Sequence, residues 1–329
     1  MKKNLFTALI SGFIMLILVA CGDSSESDTG TTDESNGNAD GLETNIVTIA
    51  TGGASGPYNI IGTTLADNYS SIFDVNSRTQ TTGASAENLN LLADQKVEMA
   101  FVMSDALSQA LNGEASFSEP LEGISQVANL YPNVVQIVAR VDAGIETLED
   151  LKGKRIAVGD QGSGVELNAR ALLNGNDITY DDVQVDYLGY AEAADGLNAG
   201  RIDAAFLTSG LPNASVLELS ETLDINIVKV LPEQVDAIVE EHPYFVSLDI
   251  PSGTYDNEDD IPTAAVPNAL VVRSDLSDDD VYKLTKEFFE NLDTLANSHQ
   301  AASDISIDHA QDGLIAPLHP GAEKYFDEQ

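Results

Sequence analysis

The chain has 329 residues, 54 acids against 15 Lys and Arg, a formal net charge of -39 and a single cysteine. That length allows two lobes of ordinary size with ample core. The acidity excludes nucleic acid as a partner, because phosphate binding needs a basic surface, and one cysteine excludes an intramolecular disulfide.

Lys2 and Lys3 precede an apolar run from Leu5 to Ala20 that ends Leu18-Val19-Ala20-Cys21. The run is shorter than the roughly 20 residues that span a bilayer and has the layout of a signal peptide. Its last residues resemble the lipobox of bacterial lipoproteins. That resemblance implies cleavage before Cys21, lipid attachment at Cys21 and a mature chain tethered outside the cytoplasmic membrane; an uncleaved anchor helix is the alternative. Residues 22–44 hold one large apolar residue, Leu42, and no base, so they read as a disordered acidic tether.

From Ile46 the pattern turns to alternating strands and helices, the signature of an α/β fold with largely parallel pairing. Ile46, Val47 and Ile49 predict a buried strand. It leads through the small-residue loop Thr51-Gly52-Gly53-Ala54-Ser55-Gly56 into a helix that opens at Pro57. Such a junction either is a plain tight turn or cradles an anion, since its small side chains expose main-chain N–H groups and the first helical turn leaves donors unpaired. Ser77–Thr82 predicts a polar strand, Ser85 an N-cap for the helix that carries Leu89 and Leu92, and Met99–Met103 a buried strand stopping at Ser104-Asp105. Three strands therefore deliver small and hydroxyl residues to one sheet edge, where ligands of open α/β sheets bind.

Tyr131-Pro132-Asn133 reads as a break, followed by a fresh strand over Val134–Ala139. A second start comes at Ile156–Gly159, with its own loop through Gly162-Ser163-Gly164 and a helix that turns Leu167, Ala171 and Leu172 inward. Strands follow at Val183–Tyr187 and Ile202–Leu207, the latter ending at Thr208–Asn213. Ile225–Val230, with a helix around Val235, Ile238 and Val239, completes a second sheet layer in this reading. Leu270–Arg273 predicts the last strand, and Asp278–Ala296 one amphipathic helix with the stripe Val281, Leu284, Phe288, Leu292 and Leu295.

Enzyme signatures are absent from the sequence. The four histidines (His242, His299, His309, His319) have no metal-ligand spacing and read as surface residues, and no nucleophile elbow or phosphate loop occurs. The acidic run Asp256–Asp260 lacks the spacing of a Ca²⁺ loop and reads as solvated. No cofactor or metal is expected.

Five stretches carry a family resemblance: IATGGASGPYNIIG at 49–62, TTGASAENL at 81–89, SD at 104–105, LKGKRIAVGDQGSGVE at 151–166 and the RIDAAF and GLPNA runs within 201–214. With them the chain resembles the TAXI-type solute receptors of TRAP transporters over residues 46–329. It departs from the usual pattern at Met103, where Gln is frequent, at Val165, where Thr is, and at Ser209–Pro212, where relatives often carry Gly-Gly-Phe-Pro.

The resemblance implies a two-lobed, type II periplasmic-binding-protein-like fold with a ligand cleft between lobes. Lobe I would comprise 45–133 and 265–329, and lobe II 134–264, joined near Tyr131–Val134 and Thr263–Asn268. It further implies a receptor, not an enzyme, that captures a small carboxylated solute, an organic acid or amino acid, and delivers it to TRAP transporter membrane subunits. A same-fold receptor for an ABC importer or a sensor kinase is the alternative; an extracellular enzyme is third. Lys152, Lys154 and Arg155 precede a strand and should lie away from the cleft, while Arg78 and Arg140 stay open as partners but lie at the beginning or end of strands rather than in the glycine loops. The anion is therefore expected mainly on main-chain N–H groups with help from hydroxyls and amides. The expected ligand residues are Thr51, Gly53, Ser55, Tyr58, Ser85, Asn88, Ser104 and Asp105 from one lobe, and Ser163, Gly164, Glu166, Ser209 and Asn213 from the other. Asp105 and Glu166, being acids, would cap helices or meet an amino group.

Overall fold

A computed structural model describes residues 41–329; the expected signal peptide, the expected lipid attachment at Cys21 and residues 22–40 of the expected tether lie outside them. The chain begins with β1 (Ile46–Ala50), α1 (Pro57–Phe73), β2 (Asn76–Gln80), α2 (Ser85–Ala93), β3 (Met99–Met103), α3 (Ser104–Asn112) and the long β4 (Ile124–Arg140). There follow β5 (Arg155–Ala157), α4 (Gly164–Gly175), β6 (Gln184–Asp186), α5 (Tyr190–Asn198), β7 (Ala204–Ser209) and α6 (Ala214–Ser220). The remainder is β8 (Ile225–Val228), α7 (Pro232–Val239), β9 (Val246–Ile250), β10 (Ile261–Arg273), α8 (Asp278–Glu290), α9 (Leu292–Ser298) and α10 (Pro320–Asp327).

All ten strands hydrogen-bond into one sheet with the path β2-β1-β3-β10-β4-β7-β5-β6, β8 adding to β4 and β9 to β10. The expected second sheet layer is therefore corrected: β8 pairs antiparallel with β4 in the same sheet. Pairing is parallel at both ends, β1 with β2 and β3, β5 with β6 and β7, as α/β crossovers require. It is antiparallel in the middle, where β10 lies beside β3 and β4.

The middle strands also correct the expected break. β4 runs without interruption through Tyr131-Pro132-Asn133, pairing with β10 from Ile124 through that point to Val134 and with β7 and β8 from Val134 onward. Pro132 sits opposite Pro267, so two residues without N–H groups share one rung, and the ladder shifts just beyond, between Pro267 and Ala269.

Apolar side chains alternate to the two faces of the sheet. At one end Val47, Ile49, Met99 and Phe101 join one core cluster while Ala50, Ala100 and Val102 join another. At the other end Val135, Ile137 and Phe206 face one cluster and Val134, Val138 and Leu207 a second. The expected single helix over 278–296 is two: Asn291 leaves helical geometry (φ -120°, ψ 24°) while its side chain bonds Glu287 O at 3.1 Å. Val281, Leu284, Phe288 and Leu295 are buried as the stripe requires.

Two further readings change. His319 is fully buried, because its Nδ1 caps α10 by accepting from the Gly321 N–H at 3.2 Å. The last residues assigned to the tether are fixed rather than free: Asp280, buried in the first turn of α8, accepts from the main-chain N–H groups of Glu43 (2.6 Å) and Thr44 (2.9 Å). Lys283 Nζ meets Gly41 O at 2.7 Å, and Leu42 packs on the core. Among the described residues, no helix is long and apolar enough to cross a membrane.

Candidate functional site

Helices in this fold start where parallel strands stop, and five of them start around one cavity that encloses about 520 Å³ of space, part of it open to solvent. Its wall includes the N-cap residue of each: Gly56 of α1, Ala84 of α2, Met103 of α3, Ser163 of α4 and Gly189 of α5. The first-turn N–H groups of Tyr58, Val165 and Tyr190, which also line the wall, have no partner among the described residues. Each N-terminus carries a partial positive charge worth about 0.3–1 kcal/mol to a nearby anion. No Lys or Arg is among the described residues of the wall.

Lys152, Lys154 and Arg155 lie outside the wall as the sequence implies, and so does Arg140, which the sequence left open. Lys152 pairs with Glu149, Arg155 with Asp203 and Arg140 with Asp142, while Lys154 bonds Ala143 O. The acid in the wall is Asp160. Burial, with Glu192 and Glu87 nearby, pushes its carboxyl above the ordinary carboxylate range.

Aromatic rings shape the cavity. Tyr58 stacks on Phe101 with ring centroids 5.3 Å apart, and Tyr190 donates its hydroxyl to Thr208 O at 2.6 Å. Burial holds both phenols well above their usual range, so they remain neutral donors. Ser163 Oγ accepts from the Glu166 N–H at 3.2 Å and keeps its own proton for another acceptor. Ser209 Oγ is saturated: it accepts from Gln136 and Asn213, each at 3.0 Å, and donates to Gly210 O.

Of the residues expected at the ligand, the structure places Gly53, Tyr58, Ser163 and Ser209 in the wall. The others are not wall residues. Thr51 and Asn88 are buried behind it, Thr51 bonded to Gln80 O at 3.1 Å and Asn88 to Thr51 O and Phe101 O at 2.6 and 2.8 Å. Ser85 is not the N-cap; Ala84 holds that position, and the Ser85 hydroxyl accepts from the Met103 N–H at 3.1 Å across to β3. Ser55 opens onto a separate hollow with Ala191 and Ser215, and Ser104 is buried beneath the start of α3. Gly164 backs onto Met103, where a Cβ would overlap the thioether.

Asp105 accepts from Asn168 Nδ2 at 2.6 Å and from the Ala106 N–H at 2.7 Å. Burial pushes its carboxyl up to about 7, against the lowering effect of those bonds. Glu166 pairs with Arg170, and Asn213 caps α6 through the Ser215 N–H at 2.9 Å. Sequence reasoning missed Asn133, Asp160, Tyr190 and Thr208 as wall residues. Asp160 and Tyr190 stand at the loop positions that follow strands, a signal that was open to use.

The fold with this site is that of the periplasmic binding proteins, a mixed α/β sheet flanked by helices. The chain belongs to the NMT1-like family, which it matches over residues 49–329. Among solved structures it is similar to PhnD1 of Prochlorococcus marinus, in complex with methylphosphonate, at 12% identity and a TM-score of 0.53, over 78% of this chain and 88% of that one. It is also similar to a binding protein component of an ABC phosphonate transporter from Pseudomonas aeruginosa, at 14% identity and a TM-score of 0.50, over 79% and 80% of the two chains. A protein from Bordetella bronchiseptica matches at 17% identity with a TM-score of 0.51, over 87% and 83%.

Proposed function

We propose that this chain is an extracytoplasmic receptor that binds a small anionic solute and hands it to a membrane transporter, without catalysing a reaction. The observation that carries the reading is the convergence of five helix N-caps on one cavity whose described wall holds no Lys or Arg. Such a wall favours an oxyanion held by main-chain N–H groups. The solute class in this reading is a small carboxylate, sulfonate or phosphonate, the carboxylate being what the TAXI-like motifs imply. Residues 45–133 with 265–329 form lobe I in this reading and 134–264 lobe II, hinged where β4 and β10 pair near Pro132 and Pro267. Cys21 would carry the lipid that keeps the receptor at the membrane.

Likeness to the binding protein component of an ABC phosphonate transporter supports ABC-type membrane subunits as the partner better than TRAP subunits. The TRAP reading stands on the motifs at 49–62 and 151–166. A thermal-shift screen of small carboxylates, sulfonates and phosphonates tests the receptor reading, since a ligand at 100 times its Kd stabilises by about 2.7 kcal/mol. Abolished binding in Arg78→Gln or Arg140→Gln, with Ser163→Ala unaffected, would replace main-chain capture by a guanidinium clamp. Uptake in reconstituted vesicles that needs ATP hydrolysis identifies the ABC partner; uptake driven by an ion gradient alone identifies TRAP.

A further inference from the structure

Buried amides in the wall form a hydrogen-bond chain whose direction is fixed from one end. The main-chain oxygen of Tyr131 can only accept, and it takes its bond from Asn268 Nδ2 at 2.9 Å. The carboxamide of Asn268 is thereby oriented, and its Oδ1 accepts the hydroxyl proton of Tyr58. With its single proton spent, the Tyr58 oxygen accepts from Asn133, which must present Nδ2, at 3.2 Å. Asn133 Oδ1 is left as an acceptor that no rotation of the chain can turn into a donor.

That oxygen is buried and has no partner among the described residues, while Asn133 itself is 2% exposed and forms part of the cavity wall. The Thr208 hydroxyl, also buried, unpartnered and in the wall, can donate or accept and so imposes no such demand. Asp160, another wall residue in the β5–α4 loop, is a second acceptor. Asn133 lies on β4 paired with Val266 of β10, so the acceptor is mounted on the most extensively paired strands of the sheet.

We propose that Asn133 is a specificity residue, selecting solutes that carry an N–H or O–H donor beside their anionic group over anions that carry none. The inference rests on the receptor reading above and narrows its substrate class. A solute with a donor completes the chain that begins at Tyr131 O. One without a donor covers a buried acceptor and leaves it unpaired, and sites built to bond a donor discriminate strongly against analogues lacking it.

The test is calorimetric titration of the full chain with three matched pairs: L-lactate and pyruvate, taurine and ethanesulfonate, aminomethylphosphonate and methylphosphonate. In a pair that binds, the donor-bearing member is expected to be tighter by about tenfold or more. Asn133→Leu, of similar shape, should bring the ratio close to one by weakening that member. Equal affinities within every binding pair, or a ratio unchanged in Asn133→Leu, would overturn the inference and leave the receptor reading intact. Failure of all these anions to bind the folded wild-type chain would overturn both. Should Asn133→Leu not fold, the wild-type ratio alone decides.

Discussion

The loops Thr51–Gly56 and Gly159–Gly164 both lead from a strand into a helix at the cavity, and both are built on glycine. In the first loop no glycine has a positive φ, and a Cβ on Gly53 would meet nothing within 4 Å. Its helix starts from Gly56 with no side-chain cap. In the second, Gly159 has φ +88° and Gly162 φ +75°, and Ser163 caps the helix. A Cβ on Gly159 would lie 2.6 Å from Val165 Cβ and 2.9 Å from Ser163 Oγ. Glycine leaves the first loop open to the cavity, whereas it lets the second loop close on itself. A repeated motif thus meets two different physical demands, and substitutions should separate them.

The sharpest separation is expected at Gly159. Gly159→Ala combines a left-handed residue with a Cβ overlap and should cost about 2–5 kcal/mol in denaturant unfolding. An effect below about 1 kcal/mol would erase the difference between the loops. Next comes the bond that ties the two regions, Asp105 of α3 to Asn168 of α4. The folded carboxyl, up near 7, binds a proton that the unfolded one, near 3.8, has released. Between those values the folded state holds more protons, so this group makes stability fall as pH rises from about 4 to about 7. Asp105→Asn should remove about 1–3 kcal/mol of that fall, read as the wild-type minus variant difference across the pH series; parallel curves would refute it.

Ser163→Ala removes the cap of α4 and should lower stability by about 0.5–2 kcal/mol if the hydroxyl only caps. Loss of ligand affinity with an unmoved Tm of the empty protein would assign Ser163 to the solute instead. The smallest effect is expected at Gly53, where Gly53→Ala should change stability by less than about 0.5 kcal/mol. A larger loss by thermal melting would show that the first loop also depends on its glycines for the fold.

Much of the fold was legible because buried strands and small-residue loops leave local patterns. Met99–Met103 is β3 to the residue, and both glycine junctions stand where the sequence puts them. Of the residues expected at the ligand, four line the cavity: Gly53, Tyr58 and Ser163, in or just after the glycine loops, and Ser209, at the end of β7. What escaped was set by partners distant in sequence. Ser85 looks like a cap, yet its hydroxyl is taken by Met103 N–H, a bond visible only once α2 lies against β3. The Tyr131–Asn133 break vanishes because Pro267 faces Pro132 from a strand more than a hundred residues away. Asn133 was hidden by the same misreading, since a residue placed in a turn is not expected in a cavity wall.

The clamp of Asp280 on Glu43 and Thr44 has a mechanical consequence. Tension arriving along the chain at residue 41 meets Lys283 on Gly41 O first and then a carboxylate gripping two main-chain N–H groups. The load passes into the first turn of α8 before it can peel β1 from between β2 and β3. A tug on the leading end is therefore grounded in a helix away from the cavity wall, and the strand that feeds the first glycine loop is spared.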